Sequence, residues 1–157
     1  MTAPQTLDRA GIAQRIPHSG SMCLLERLES WDADAIHCST TTHAQDDNPL
    51  RTESGLLAPN AIEYAAQAMA LHGGLLAAEG STPSAGFLAS ARNVKLAVAR
   101  LDDIDGALQV RAKRLSGDDR QILYEFTVKA EDGRSLAEGR AVVVLNTPLA
   151  AEESTSS

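Results

Sequence analysis

The sequence predicts an α+β domain in which one long apolar helix is followed by a run of antiparallel strands. The most apolar stretch of the chain, Leu56–Ala78 (LLAPNAIEYAAQAMALHGGLLAA), is dominated by small and aliphatic residues. After it come four segments separated by turn signals at Asp105-Gly106, Gly117-Asp118-Asp119 and Asp132-Gly133. Before it, two shorter alternating segments flank the turn Asp32-Ala33-Asp34.

Taken in order, residues 1–14 read as a mobile N-terminus, 15–146 as a single domain and 147–157 as a disordered tail. Cys23–Asp32 and Ala35–Thr42 are the first two predicted strands; Ile36, Cys38, Thr40 and Thr42 alternate along the second. A polar loop, His43–Gly55, leads to a helix expected from about Pro59 to Ala78. Pro59 suits the first helical position, where its missing N–H goes unneeded, and Gly80 suits the end. The remaining strands are expected at Gly86–Leu101, Ala107–Leu115, Ile122–Ala130 and Ser135–Leu145. A short strand pair, a central helix and long antiparallel strands that wrap it make the hotdog fold. The helix composition fits, because Ala65, Ala66, Ala68, Ala70, Gly73 and Gly74 let a curved sheet approach closely.

At 157 residues the chain is one ordinary domain, and 43% hydrophobic with 22% charged residues is a globular composition. A net charge of −7 argues against nucleic acid as the main partner and against adhesion to anionic membranes. Asn60, Glu63, Gln67 and His72 interrupt the apolar stretch, so a buried helix fits it better than a membrane span. The first residues lack a charged region followed by an apolar run, and a cytoplasmic protein is expected. Cys23 and Cys38 make no metal-ligand spacing with each other or with the histidines and read as buried thiols. Neither a metal nor a cofactor is implied.

Glu63 needs an explanation in so apolar a setting. Burying an unpaired carboxylate costs several kcal/mol or more, so such a group finds partners or holds its proton. A sheltered carboxylic acid is also what proton-transfer chemistry uses near neutral pH.

Three stretches resemble the beta-hydroxyacyl-(acyl carrier protein) dehydratases, especially the dehydratase-like proteins associated with aryl polyene products. They are Ile16-Pro17-His18-Ser19-Gly20-Ser21-Met22-Cys23-Leu24-Leu25-Glu26-Arg27, Asn48-Pro49-Leu50, and Ile62-Glu63-Tyr64-Ala65-Ala66-Gln67-Ala68. The third is the most specific, and the resemblance spans roughly Arg15 to Asn146. It implies a hotdog unit that is at least a dimer, with sites built between protomers. It also implies an acyl thioester substrate on acyl carrier protein or coenzyme A. In such enzymes a histidine removes the proton alpha to the thioester carbonyl, and the helix carboxylate protonates the departing 3-hydroxyl. Amides at the helix N-terminus polarise the carbonyl.

Carried onto this sequence, the resemblance makes Glu63 the acid, Gln67 its orienter or a structural hydrogen-bonding group, and the amides near Asn60 and Ala61 the carbonyl-binding group. Asn48 stands where the family places its histidine, and asparagine cannot act as a general base. Leu57-Ala58 replaces the Pro-Gly pair of the commoner dehydratases. The base is unassigned, with His43, five positions before Asn48, the first candidate and His18 of the Pro-His pair the second. The plainer readings are a strand-end surface residue for His43 and a packing residue for His18. Asn48 is either a turn residue before Pro49 or a polar group for a water or thioester oxygen. His72 is expected to be a satisfied core or interface group, and His37 a surface residue. Arg92, Lys95, Arg100, Arg111, Lys113 and Arg114 gather six of the 14 basic residues in one region, where they would attract an acidic carrier or remain outward strand residues.

The leading expectation is a 3-hydroxyacyl-thioester dehydratase, that is, a lyase of fatty acid or polyene biosynthesis, acting as a homodimer. Thioester hydrolysis on the same scaffold is the alternative, with Asn48 and Glu63 activating water. A non-catalytic acyl-binding chain that completes a heterodimer with a hotdog paralogue is the third.

Overall fold

A computed structural model describes residues 3–16, 20–78, 86–118 and 120–145. Six antiparallel strands form one sheet: β1 (Arg27–Trp31), β2 (Ala35–Thr40), β3 (Gly86–Leu96), β4 (Leu108–Gly117), β5 (Gln121–Lys129) and β6 (Ser135–Leu145), in the order β1-β2-β4-β5-β6-β3. The sheet curls around one long helix, α2 (Ala61–Ala78), which touches β2, β3, β4, β5 and β6. This is the expected hotdog architecture. Twelve of the 18 residues of α2 are buried, from Ala61 to Leu76, as a helix enclosed on most sides requires. Strand alternation supplies the opposing surface: Leu108, Val110, Ala112, Ile122, Tyr124, Phe126 and Val128 all point inward. Gly139 allows β6 to close on this layer, since a Cβ there would meet Phe126 Cζ at 3.0 Å and Val94 Cα at 3.1 Å.

The structure corrects three expectations. The N-terminal segment packs on the domain. A short helix α1 (Arg9–Ala13), capped by Asp8, buries Ile12 and sends the Arg9 guanidinium to the carbonyls of Gly20 and Cys23. Leu7 bridges Leu28, and Trp31 Nε1 donates to Pro4 C=O. The first strand is also shorter than Cys23–Asp32. Cys23, Leu24 and Leu25 are buried, but the Leu24 backbone groups bond side chains instead of a neighbouring strand. Finally, Pro59 lies in a single 3-10 turn, Ala58–Asn60, and the α-helix proper begins at Ala61. Segments 79–85 and 147–157, with the expected stop at Gly80 and the tail, lie outside the described residues.

Among the described residues strand β3 bonds only β6, leaving its other edge open. It is bulged between Arg92 and Lys95, where Asn93 adopts φ 53°. Cys23 and Cys38 are buried and unpaired. Among the described residues no helix is long and apolar enough to cross a membrane.

Candidate active site

The end of β2 runs into a 3-10 turn, Thr42–Ala44, that carries His43 inward. Its ring is fully buried, and Nε2 lies 2.9 Å from Ile104 C=O. A carbonyl only accepts, so the ring proton sits on Nε2 and Nδ1 carries the lone pair. Nδ1 is buried and has no hydrogen-bond partner among the described residues. Burial pushes the pKa of this ring below the usual histidine value, against the Ile104 bond and the charges of Glu26 and Asp102. His43 is thus a neutral imidazole with its basic nitrogen unengaged. It is not the surface residue that a strand-end position suggests.

Beside it lies a closed polar network. Thr40 and Thr42 lie two residues apart at the end of β2 and both donate to Leu24 C=O, at 2.6 and 2.7 Å. With the Thr42 proton used, Tyr64 OH donates to Thr42 Oγ1 at 2.9 Å. Tyr64 OH in turn accepts from Asn48 Nδ2 at 2.9 Å. The second Asn48 amide proton goes to Thr42 C=O at 2.9 Å, and its Oδ1 accepts from Leu50 N–H at 2.8 Å. Asn48 is therefore a buried turn residue with both amide protons and one Oδ1 lone pair committed. No side-chain N–H of Asn48 is left to donate to a thioester oxygen.

Gln67 is engaged at both ends of its amide. Its Oε1 accepts from Leu24 N–H at 2.8 Å and its Nε2 donates to Met22 C=O at 2.6 Å. It fastens the 22–24 loop to the helix, so the expectation that it orients Glu63 is replaced by its structural alternative. Glu63 itself is exposed in the single chain, one residue and about 100° of helix rotation from the buried Tyr64. Its expected burial is not met by this chain alone. The helix-start amides are also committed: Asn60 N–H bonds Leu57 C=O at 3.0 Å, and Ala61 N–H bonds the carbonyls of Ala58 and Pro59. The 3-10 turn takes up the two donors that the sequence assigned to a substrate carbonyl. His18 lies outside the described residues.

The other candidates separate cleanly. His72 is buried, accepts at Nδ1 from Tyr124 OH at 2.6 Å and donates from Nε2 to Asp32 C=O at 2.8 Å, as a satisfied core histidine should. His37 is half-buried against Gln109 Oε1 at 2.7 Å. Arg100 is exposed but ion-paired: it bonds Asp102 Oδ1 at 3.0 Å and Oδ2 at 2.5 Å. The sequence reading missed Tyr64, Asp102 and Ile104. Tyr64 was visible inside the helix motif, and the i, i+2 pair Thr40/Thr42 marked the face it meets. Asp102 resembles an ordinary turn acid, and the Ile104 contact goes through the backbone, which sequence cannot advertise.

The scaffold is one shared by dehydratases and thioesterases. A chain of the dehydratase heterocomplex ApeI:P from Xenorhabdus doucetiae superposes with TM-score 0.77 at 23% identity, covering 93% of this chain and 97% of that one. A thioesterase from Haemophilus influenzae gives TM-score 0.61 at 14% identity over 94% and 96% of the two chains. A hypothetical thioesterase from Streptococcus pneumoniae, solved with coenzyme A, gives 0.54 at 12% over 76% and 84%. No curated protein matches in sequence. These likenesses define the class as a hotdog-fold protein. Within it, residues 10–154 match the ApeP-like family, described as ApeP dehydratase, and the chain belongs to that family.

Proposed function

We propose that the protein is a cytoplasmic, cofactor-independent dehydratase of 3-hydroxyacyl thioesters on acyl carrier protein, acting as one half of a two-protomer hotdog unit. The observation that carries this reading is His43 Nδ1, a buried basic nitrogen without a partner beside a donated Nε2 proton. An orphaned polar atom in a core is costly and calls for a functional explanation. Nδ1 takes the proton alpha to the thioester carbonyl. Electron density moves to form the alpha-beta double bond, Glu63 protonates the 3-hydroxyl, and water leaves. The ring is wholly enclosed in the single chain, so a surrounding segment must move to admit the substrate.

Glu63 is exposed and Tyr64, its neighbour, faces the His43 side, which suits a site completed by a second chain. The open edge of β3 offers that chain a place to pair. The similar ApeI:P protein is a heterocomplex, which supports a hotdog paralogue as the partner. Against the thioesterase reading, both Asn48 amide protons are bonded within the chain, to Thr42 C=O and to Tyr64 OH.

The test is intact mass spectrometry of a 3-hydroxyacyl carrier protein incubated with the protein and with Glu63→Gln. Loss of one water from the acyl group, abolished in the variant, is expected. Full activity in Glu63→Gln overturns the mechanism, and release of the whole acyl group makes the protein a thioesterase. An unchanged mass even with a hotdog paralogue added makes it a non-catalytic chain.

A further inference from the structure

The segment after β3 crosses in front of the helix entry and is held there by a short ladder. Ala58 N–H donates to Ala99 C=O at 3.0 Å and Leu101 N–H to Leu56 C=O at 2.7 Å. The Asp102 carboxylate continues the ladder, accepting Leu56 N–H on Oδ1 at 2.9 Å. That side chain is only 5% exposed, yet it gathers Arg100 and, at 3.6 Å, Arg51 from the opposite side of the loop. Gly55 makes the approach possible: it adopts φ +94°, and a Cβ there would fall 2.7 Å from Asp102 Oδ1. Two residues beyond Asp102, Ile104 N–H closes a turn on Leu101 C=O at 3.1 Å, and Ile104 C=O receives the His43 Nε2 proton at 2.9 Å.

One strap, 99–104, therefore touches both the entry to α2 and the one hydrogen bond that fixes the tautomer of His43. We propose that Asp102 is a positioning residue: by clamping the strap to Leu56 between Arg51 and Arg100, it keeps Ile104 C=O under His43 and so keeps Nδ1 as the unprotonated nitrogen. The proposal rests on His43 as the base of the reaction above. The carboxylate touches no reacting atom; its effect passes through the backbone from 102 to 104. A ring freed from Ile104 can move its proton between the two nitrogens, and only one tautomer presents Nδ1 as an acceptor. Arg51 and Arg100 are part of the same device, since an unpaired carboxylate in this position would be poorly solvated.

The experiment is a long-range 1H–15N correlation spectrum of the full chain, with His43 identified by its absence in His43→Gln. The wild type is expected to show one neutral tautomer, protonated at Nε2. Asp102→Ala is expected to show a mixture of tautomers and, in the mass assay, kcat lower by about 100-fold with KM little changed. Asp102→Asn keeps an acceptor for Leu56 N–H but loses the charge that holds both arginines. It is expected to fall between the two and decides the matter if the alanine variant does not fold. A wild-type spectrum protonated at Nδ1, or a folded variant that retains the single Nε2 tautomer, overturns the proposal. The tautomer needs no turnover to be read, so failure of the positioning role is distinguishable from failure of the dehydratase reading.

Discussion

His43 and His72 are both buried, and each donates its Nε2 proton to a backbone carbonyl, of Ile104 and Asp32 respectively. They differ at the other nitrogen. Nδ1 of His72 accepts from Tyr124 OH, and the ring sits edge-on to both Trp31 and Tyr124. Nδ1 of His43 accepts from nothing among the described residues. Burial alone therefore says little about what a histidine is for. The completed one is core, and the incomplete one retains a lone pair in a low-dielectric pocket, where only an incoming group can use it.

The largest expected effect breaks the comparison at His43. His43→Gln keeps a donor for Ile104 C=O and removes the imidazole base. Dehydration should fall by about 10²- to 10⁴-fold in the carrier-protein mass assay, the usual contribution of a general base. Thermal stability should change little, because the variant removes a group that was unpaired in the fold. A large loss of melting temperature with unchanged turnover would make His43 another His72.

A smaller effect comes from making His72 resemble His43. Tyr124→Phe keeps the edge-on ring and takes away the hydroxyl that satisfies Nδ1. Leaving a buried acceptor unpaired should cost about 1–3 kcal/mol in chemical denaturation, with dehydration unaffected. An unchanged denaturation midpoint would mean that orphaned imidazole nitrogens cost nothing in this core, and the argument from His43 Nδ1 would weaken with it.

Much of this was legible in the sequence, for reasons that differ by region. Alternation placed β4, β5 and β6 to within a few residues because one face of each packs on α2, and a slip of one residue would turn that face outward. Pattern reading failed where backbone groups bond side chains. Cys23–Leu25 is extended and apolar like a strand, yet Gln67, Thr40 and Thr42 hold Leu24. The N-terminal segment reads as a mobile end by its position, and it is pinned by Arg9 and by the apolar residues Leu7 and Ile12. Among the candidate site residues, the motif names a helix turn but cannot say which way each member faces. Tyr64 and Gln67 turn in, Glu63 turns out, and Asn48 is consumed by its own loop. The orphaned nitrogen of His43 depends on the absence of a neighbour, which no residue spacing encodes.

The smallest expected effect treats the two histidines as a pair again. Burial pushes both below the usual histidine value, the bond to a carbonyl opposing it in each case. Around His72, Arg114 adds to the lowering while Asp32 and Asp34 oppose it. The unfolded chain, with histidines near 6.5, then binds more protons than the folded one as pH falls, so stability must rise with pH. The contribution is complete above the unfolded value and is lost as pH drops from about 6.5 through the folded values. Between pH 7.5 and 6 the loss should stay under about 1 kcal/mol for each histidine, read as a shift in urea midpoint. Asp102, which Arg100 holds below its ordinary 3.8, loses its own contribution only in stronger acid, so this window isolates the histidines. His43→Gln should remove one share of the slope and leave that of His72. A midpoint that rises on acidification from 7.5 to 6 would mean that the folded state, and not the unfolded one, is gaining the protons.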